Sequence, residues 1–314
     1  MLTPFLSVLV PVYQNASTLP ILFSEIAKLE TCVAKLEIVF VNDGSSDDSL
    51  EVLVALFNQR PDLTRVINLT RNFGQIAALH AGLREVKGDC VAILSADMQD
   101  PPALIAKMVP LWEGGSRVVI AERSERDEGR VQIFLSSLVW KITRKLAVPN
   151  YPAGGFDFCL LDRAVIEILN NVYEKNSHIF ALIFSFGFPY AILPYRRQKR
   201  LGGKSQWTAA KKFKVLIDIV LSFSYVPVRV ISGIGILVAA FSVGYALFSI
   251  AYYFIYGTPY TGWTTIIVLI CLIGGVTLTS LGILGEYIWR ILDQTRKRPQ
   301  YIVLNRFGNQ SGHS

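Results

Sequence analysis

Ser95, Asp97 and Gln99 stand at alternate positions in the stretch "ILSADMQDPP", which covers residues 93–102. They follow a nearly continuous apolar run that is typical of a buried strand. Alternate residues of an extended chain point the same way, so Asp97 and Gln99 would bring a carboxylate and an amide oxygen together. Such oxygens suit Mg²⁺ or Mn²⁺, with diphosphate oxygens and water as the remaining ligands. Asp100 is assigned a structural role, as the cap of a helix that begins at the two prolines.

Polar residues also follow two other predicted strands. The first strand ends in Pro11, Tyr13, Gln14 and Asn15, and the second ends in "NDGSSDD", residues 42–48. Each segment alone can be an ordinary turn, because Asn, Asp, Gly and Ser are turn residues. Ligands of open α/β sheets bind at the carboxyl ends of the strands, so three polar strand ends favour a site there.

The elements that must position these residues are strands and helices in alternation. The predicted strands are Leu6–Val12, Leu36–Asn42, Arg65–Leu69, Cys90–Ala96 and Arg117–Glu122. The predicted helices are one capped by Ser17 and reaching Cys32, one capped by Ser46 and reaching Asn58, and Gly74–Glu85. The apolar strands suit a parallel sheet that is buried on both faces. The alternation therefore predicts an α/β fold with right-handed crossovers.

The C-terminal part has a membrane pattern. No Asp, Glu, Lys or Arg occurs over residues 230–285, and the uncharged loop 256–263 divides this stretch. The two halves, about 230–255 and 264–289, each exceed the roughly 30 Å hydrocarbon core as helices. We interpret them as two transmembrane helices; a pair of buried core helices is the alternative. Basic residues flank the pair, at Arg229 and at 290–298, so both ends are expected to face the cytoplasm.

The net charge of +7 has one main source. Residues 196–214 contain eight Lys or Arg and no acid, just before the first apolar helix. This position favours a lipid headgroup or a phosphate over nucleic acid as the partner. Residues 130–147 and 211–228 are basic and apolar enough to be interfacial helices, with core packing as the alternative for the first. No cleaved signal peptide is expected, and the four scattered cysteines fit a reducing compartment.

Several motifs are recognisable together. They are "VPVYQN", "VFVNDGSSDDS", "NLTRNFGQIAALHAG", "SADMQDPP", "GGFDFCLLDR" and "RLGGKSQW", followed by the two apolar helices. The chain resembles the inverting nucleotide-sugar glycosyltransferases of the GT-A fold, in the polyprenyl-phosphate branch. That branch includes dolichyl-phosphate mannose synthases and bactoprenol glucosyltransferases. The resemblance covers nearly the whole chain and implies a GT-A domain over 1–210, an interface helix over 211–228, a membrane hairpin over 229–290 and a cytoplasmic tail over 291–314.

The resemblance also implies the residues that bind the donor. Pro11, Tyr13 and Asp43 correspond to a pocket for the base and ribose of the nucleotide. Asp97 and Gln99 correspond to the metal ligands, with Asp97 near the ribose or the diphosphate. The family commonly has Asp-x-Asp at this motif, whereas this chain has a serine in the first position. A metal site that depends on one carboxylate is therefore expected.

Other residues match the catalytic and phosphate-binding positions of the family. Arg123 resembles an arginine that handles donor or acceptor phosphate, and Asp157 matches the base or acceptor-orienting position. Arg200, Lys204 and Ser205 resemble a basic loop that closes over the phosphates. A phosphate monoester has a second pKa of about 6 and is already an anionic nucleophile at neutral pH. We therefore expect Asp157 to orient a substrate more than to remove a proton.

The resulting reading is a multi-pass enzyme of the cytoplasmic membrane that transfers a hexose from a nucleotide sugar to polyprenyl phosphate. UDP-glucose is the first guess for the donor. The expected partners include the membrane and a separate flippase for the product. A homo-oligomer is compatible with this interpretation, and nucleic acid is not expected as a partner. A processive polysaccharide synthase is disfavoured because "GKSQW" lacks the arginine of a Gln-x-x-Arg-Trp motif. A non-catalytic scaffold that lost its metal site at Ser95 is the remaining alternative.

Overall fold

The computed structural model describes residues 4–123, 151–152, 156–172, 179–197, 226–257, 262–296 and 298–308. They belong to two compact units. The first unit, called the sheet domain, comprises Met1–Asp218 and Pro299–Ser314. The second, called the helical unit, comprises Ile219–Arg298.

The sheet domain is built on one mixed sheet with the strand order β7-β5-β6-β4-β1-β2-β3-β8. The strands are β1 (Phe5–Val12), β2 (Lys35–Asn42), β3 (Thr64–Leu69), β4 (Cys90–Ile93), β5 (Val118–Arg123), β6 (Cys159–Asp162), β7 (Tyr190–Tyr195) and β8 (Val303–Phe307). Its helices are α1 (Leu19–Ala27), α2 (Ser49–Gln59), α3 (Gln75–Leu83), α4 (Ile105–Glu113), α5 (Arg163–Asn171) and α6 (Ile179–Ser185). The predicted α/β class is confirmed.

Strands β1 to β4 form the parallel half of the sheet. β1 pairs in parallel with both β2 and β4, and β2 pairs in parallel with β3. Their aliphatic side chains are almost completely buried, as expected for strands covered on both faces. Helix α3 approaches β1 closely, since a Cβ at Gly82 would lie 2.1 Å from Cδ1 of Leu9. The carboxyl ends of β1, β2 and β4 therefore meet at one edge of the sheet.

Strands β5, β6 and β7 form the mixed half. β6 runs antiparallel to both β4 and β5, while β5 and β7 are parallel. The sequence predicted β5 but neither β6 nor β7. β6 has four residues and continues directly into α5, so its short apolar run offers no separate strand period. Residues 130–147 and 211–225, where interfacial helices are expected, lie outside the described residues.

The helical unit contains two long helices, α7 (Val226–Tyr256) and α8 (Trp263–Thr295). Windows over Val228–Tyr245 and Leu272–Thr295 are long and apolar enough to cross a membrane, and neither is buried. Both helices are longer than the predicted 230–255 and 264–289. Helix α8 continues into a charged last section, where Glu286 pairs with Arg290 at 3.0 Å.

The expectation of a tail over 291–314 is corrected. After α8, the chain returns to the sheet domain, and β8 pairs antiparallel with β3. The backbone N–H of Thr70 also donates to the carbonyl of Ile302 at 3.0 Å. β8 is an edge strand of five residues whose middle positions are exposed, so it lacks the apolar run that marks the buried strands. Both ends of the helical pair therefore connect to the same domain.

Candidate active site

The loops after β1 and β2 are tied together by hydroxyl groups. The backbone N–H of Gln14 donates to Oγ of Ser45, and that of Asn15 donates to Oγ of Ser49, both at 3.0 Å. Gln14 has a φ of 55°, which turns the chain directly after Tyr13. Ser45 and Ser49 therefore hold the loop after β1 in place. The prediction that Ser17 and Ser46 cap the first two helices is wrong, because α1 begins at Leu19 and α2 begins at Ser49.

Asp43 fixes a third loop, the one that follows β3. Its carboxylate is almost fully buried and accepts hydrogen bonds from the N–H of Phe73 at 2.7 Å and of Gly74 at 2.9 Å. Burial raises the pKa of Asp43, while the two N–H donors and Arg71 act in the opposite direction. A carboxylate oxygen can accept more than one hydrogen bond, so these contacts leave capacity for a ligand.

Gly44 lets this contact form. It has a φ of 59°, and a Cβ there would lie 2.3 Å from the backbone carbon of Arg71. A larger residue would push the loop after β3 away from Asp43. The "NDG" turn and the "TRNFG" segment, which are distant in sequence, therefore form one wall of the site.

The segment after β4 turns earlier than its sequence predicts. β4 ends at Ile93 rather than at Ala96, and Met98 has a φ of 59°. The hydroxyl of Thr18 donates to the carbonyl of Ala96 at 2.7 Å and holds the segment against α1. Because the chain is not extended here, strand alternation does not place Gln99 beside Asp97. Instead, the N–H of Gln99 donates to the Asp97 carboxylate at 3.2 Å.

The protein atoms available to a cation at this point are few. Asp97 is buried to 8% exposure and supplies one carboxylate, with the amide side chain of Gln99 two residues away. In the described parts of the chain, no group of three or more His, Cys, Asp or Glu could hold a metal ion. This donor set fits a divalent cation only if a diphosphate and water supply most of the ligands.

Asp100 does not cap a helix. The short 3-10 turn Pro102–Leu104 follows it, and no side-chain hydrogen bond caps that turn. The fully buried Asp100 carboxylate instead accepts a hydrogen bond from the Tyr195 hydroxyl at 2.5 Å, and its Oδ1 lies 3.3 Å from Nε of Arg197. Burial and the negative charge of Asp157 raise the pKa of Asp100 to about 6, with Arg197 and Tyr195 opposing the shift.

Arg123 and Asp157 form the other charged pair. Nη2 of Arg123 lies 2.6 Å from both carboxylate oxygens of Asp157. Their side chains are 24% and 35% exposed, so a ligand can reach the pair. Arg123 is opposite Tyr195 in the pairing of β5 with β7, and the two side chains are hydrogen-bonded. Burial and the neighbouring Asp100 raise the pKa of Tyr195, so its hydroxyl remains a neutral donor.

These contacts bring the predicted site residues into two groups. In the first, the loop after β1, which carries Tyr13, contacts the turn that contains Asp43. The second contains Arg123 and Asp157, and Asp97 belongs to it because its Oδ2 lies 3.9 Å from Nη2 of Arg197. The predicted phosphate-binding residues Arg200, Lys204 and Ser205 lie outside the described residues.

Sequence reasoning missed Tyr195 and Arg197 as individual site residues. Arg197 is visible only as one of many bases between 196 and 214, and Tyr195 ends a strand that was not predicted. The signal that could have identified them is their own alternation. Tyr195 and Arg197 are two residues apart at the carboxyl end of β7, as Ser95 and Asp97 are two residues apart after β4.

The chain is similar to known proteins over most of its length. The model of Glycosyl transferase family 2 matches residues 7–205. The bactoprenol glucosyl transferase of Shigella phage SfX is 33% identical over 303 residues, covering 96% of this chain and 99% of that protein. The prophage bactoprenol glucosyl transferase homolog of Escherichia coli K12 is 32% identical over 300 residues, covering 95% and 98%.

A solved structure shows the same fold. Glucosyl-3-phosphoglycerate synthase from Mycobacterium tuberculosis, crystallised with Mn²⁺, UDP and phosphoglyceric acid, matches with a TM-score of 0.51. It is 16% identical, and the match covers 69% of this chain and 78% of that one. The expectation of a GT-A fold is confirmed.

Proposed function

The chain belongs to glycosyl transferase family 2 and is a glycosyltransferase, and we propose that it transfers a hexose from a nucleotide sugar to polyprenyl phosphate. The observation that carries this proposal is the likeness to bactoprenol glucosyl transferases, which extends over nearly the full length of both chains. The names of these relatives give glucose as the sugar, so UDP-glucose is the donor that we test first.

In the proposed reaction, an oxygen of the lipid phosphate attacks the anomeric carbon of the sugar. The bond from that carbon to the diphosphate breaks, and its electron pair leaves with the nucleoside diphosphate. Pro11, Tyr13 and Asp43 line the proposed pocket for the nucleoside. Asp97 and Gln99 would hold Mg²⁺ or Mn²⁺, which would offset the charge that develops on the leaving diphosphate.

The acceptor is proposed to bind at the Arg123–Asp157 pair. The guanidinium of Arg123 can donate to a phosphate monoester, as its Nη2 does to both carboxylate oxygens of Asp157. Asp157 would then orient the sugar or the acceptor rather than remove a proton, since the phosphate is already ionised at neutral pH. Arg200, Lys204 and Ser205 are proposed to bind the diphosphate of the donor.

The helical unit is proposed to be a membrane hairpin, with the sheet domain and both termini in the cytoplasm. Three features support this topology: the apolar surface of α7 and α8, the basic flanks, and the return of the chain to β3 through β8. Since both ends of the hairpin connect to one domain, an even number of crossings is required. A protease-protection assay on inverted membrane vesicles should digest a tag placed after residue 314.

The activity is tested with purified protein, a polyprenyl monophosphate and labelled UDP-glucose, UDP-galactose or GDP-mannose. We expect label to move into the lipid phase with UDP-glucose, and EDTA to stop the transfer. Label transfer from another donor would change the proposed sugar but would leave the proposed reaction unchanged. No transfer from any donor, with nucleotide still bound, would instead support the non-catalytic scaffold.

A further inference from the structure

The Asp100 carboxylate connects the two charged groups of the candidate site. On one side, Oδ1 of Asp100 lies 3.3 Å from Nε of Arg197, whose Nη2 lies 3.9 Å from Asp97. On the other side, Asp100 accepts a hydrogen bond from Tyr195 at 2.5 Å. Tyr195 is in turn hydrogen-bonded to Arg123. One carboxylate thus contacts the side chains that stand beside both Asp97 and the Arg123–Asp157 pair.

This arrangement is a poor choice if stability alone is considered. Asp100 is 0% exposed, and among the described residues its Oδ2 has no hydrogen-bond partner. A buried carboxylate with an unsatisfied oxygen is costly, and apolar residues of similar volume often replace buried ion pairs without loss of stability. Positioning the two arginines would be a reason to retain the charge.

The two contacts of Asp100 differ in kind, since Tyr195 donates a hydrogen bond to it and Arg197 forms an ion pair with it. Nε of Arg197 lies 3.3 Å from Oδ1 of Asp100 and, within the described residues, makes no hydrogen bond, so the two groups attract each other as an ion pair, while Nη2 lies 3.9 Å from Asp97. Tyr195 is fixed by the pairing of β7 with β5, opposite Arg123. Its hydroxyl can therefore interact with Asp100 and Arg123 without a change in the backbone.

We propose that Asp100 is a positioning residue that aligns Arg197 with the donor diphosphate and, through Tyr195, aligns Arg123 with the acceptor phosphate. This inference rests on the proposed function, because that function assigns the donor to Asp97 and the acceptor to Arg123 and Asp157. It adds Asp100, Tyr195 and Arg197 to the residues that determine substrate binding. Neither Asp100 nor Tyr195 needs to touch a substrate for this role.

Two binding measurements distinguish the donor side of the site from the acceptor side. The first titrates the full-length protein with Mn²⁺ and whichever of UDP or GDP the wild type binds. The second titrates it with a short-chain polyprenyl monophosphate in detergent. We expect Arg197→Lys to weaken nucleotide binding about tenfold and Tyr195→Phe to weaken lipid-phosphate binding about tenfold, each leaving the other ligand within about twofold. Asp100→Asn should weaken both.

Two control variants are available: Glu37 is buried as Asp100 is, and Tyr301 is partly buried. Glu37→Gln changes a buried carboxylate that accepts a hydrogen bond from Ser7 and pairs with Arg65. Tyr301→Phe removes a hydroxyl that is hydrogen-bonded to Arg84. Both controls should leave the two affinities unchanged. Because Tyr195→Phe and Arg197→Lys remove no buried volume of note, they keep the test valid if Asp100→Asn does not fold.

The outcomes distinguish this inference from the proposed function. If Tyr195→Phe and Arg197→Lys each weaken both ligands equally, or neither, the positioning role is wrong. A change in melting temperature without any change in affinity would also reject it. If the wild type binds both ligands but transfers no sugar, the proposed function fails while the binding pattern still decides the positioning role. A wild type that binds neither ligand rejects both.

Discussion

The two halves of the sheet build their parts of the candidate site in different ways. In the parallel half, polar side chains bind backbone groups: Asp43 holds Phe73 and Gly74, and the serines after β2 hold Gln14 and Asn15. In the mixed half, and in the segment after β4 that contacts it, side chains bind one another. The contacts there run from Asp157 to Arg123, to Tyr195, to Asp100 and to Arg197.

This difference has a consequence for function. Backbone contacts fix the positions of loops, so the parallel half forms a preorganised pocket wall that changes little when a ligand binds. The mixed half is a set of charges whose partners can be exchanged, and a phosphate can replace a carboxylate as the partner of an arginine. We therefore expect the rigid half to bind the nucleotide and the charged half to respond to the acceptor.

The largest expected effect is at Asp97, which ends the parallel half and contacts the mixed half. Asp97→Ala should lower kcat by about 10³-fold, because it removes the single carboxylate proposed to bind the cation that stabilises the leaving diphosphate. Ser95→Ala is the matched control and should cost less than about tenfold, since a serine hydroxyl is a weak ligand for such a cation. Measured kcat values in Mn²⁺ titrations check both.

Equal losses for the two variants would show that Ser95 contributes to the metal site as much as Asp97 does. A full return of Asp97→Ala activity at high Mn²⁺ concentration would show that the carboxylate sets affinity for the cation rather than the rate.

A smaller loss is expected at the exposed pair of the mixed half. Asp157→Asn should lower kcat about 10²-fold by removing the carboxylate whose two oxygens both lie 2.6 Å from Nη2 of Arg123. The loss should be the same from pH 6.5 to pH 9, because the acceptor phosphate is already ionised over this range. The measurement is a pH profile of kcat for both proteins. Activity of the variant that recovers as the pH rises would favour a role for Asp157 as a general base.

The sequence predicted the parallel half far better than the mixed half. β1, β2 and β3 were predicted to within one residue at each end, because strands buried on both faces are continuous apolar runs. The loops that contain Tyr13 and Asp43 followed from the rule for carboxyl ends. Asp43 and Phe73, in contrast, meet only through tertiary contact, which no local pattern records.

The mixed half could not be derived because its contacts join distant parts of the chain. Tyr195 and Asp100 are 95 residues apart, and Arg123 and Asp157 are 34 apart. An antiparallel β6 between β4 and β5 breaks the alternation on which the parallel prediction depends. The turn at Met98 has a related cause, since a positive φ at a non-glycine residue is imposed by its surroundings and has no sequence signal.

The smallest expected effect concerns stability, and it compares Asp43, a buried carboxylate bound to backbone groups, with Asp100, a buried carboxylate bound to side chains. Because the pKa of Asp100 is raised from 3.8 to about 6, the folded state binds more protons than the unfolded state between these pH values. The free energy of unfolding should therefore fall as the pH rises through this window, by roughly 2 kcal/mol, and Asp100→Asn should remove this fall. Asp43→Asn should change the slope less, since two N–H donors oppose the effect of burial on the Asp43 pKa.

Melting temperatures of the metal-free and nucleotide-free proteins from pH 4.5 to pH 7.5 measure both slopes. If Asp43→Asn flattened the curve more than Asp100→Asn, the more strongly perturbed carboxylate would belong to the parallel half, and the contrast between a backbone-bound wall and a charged network would not hold.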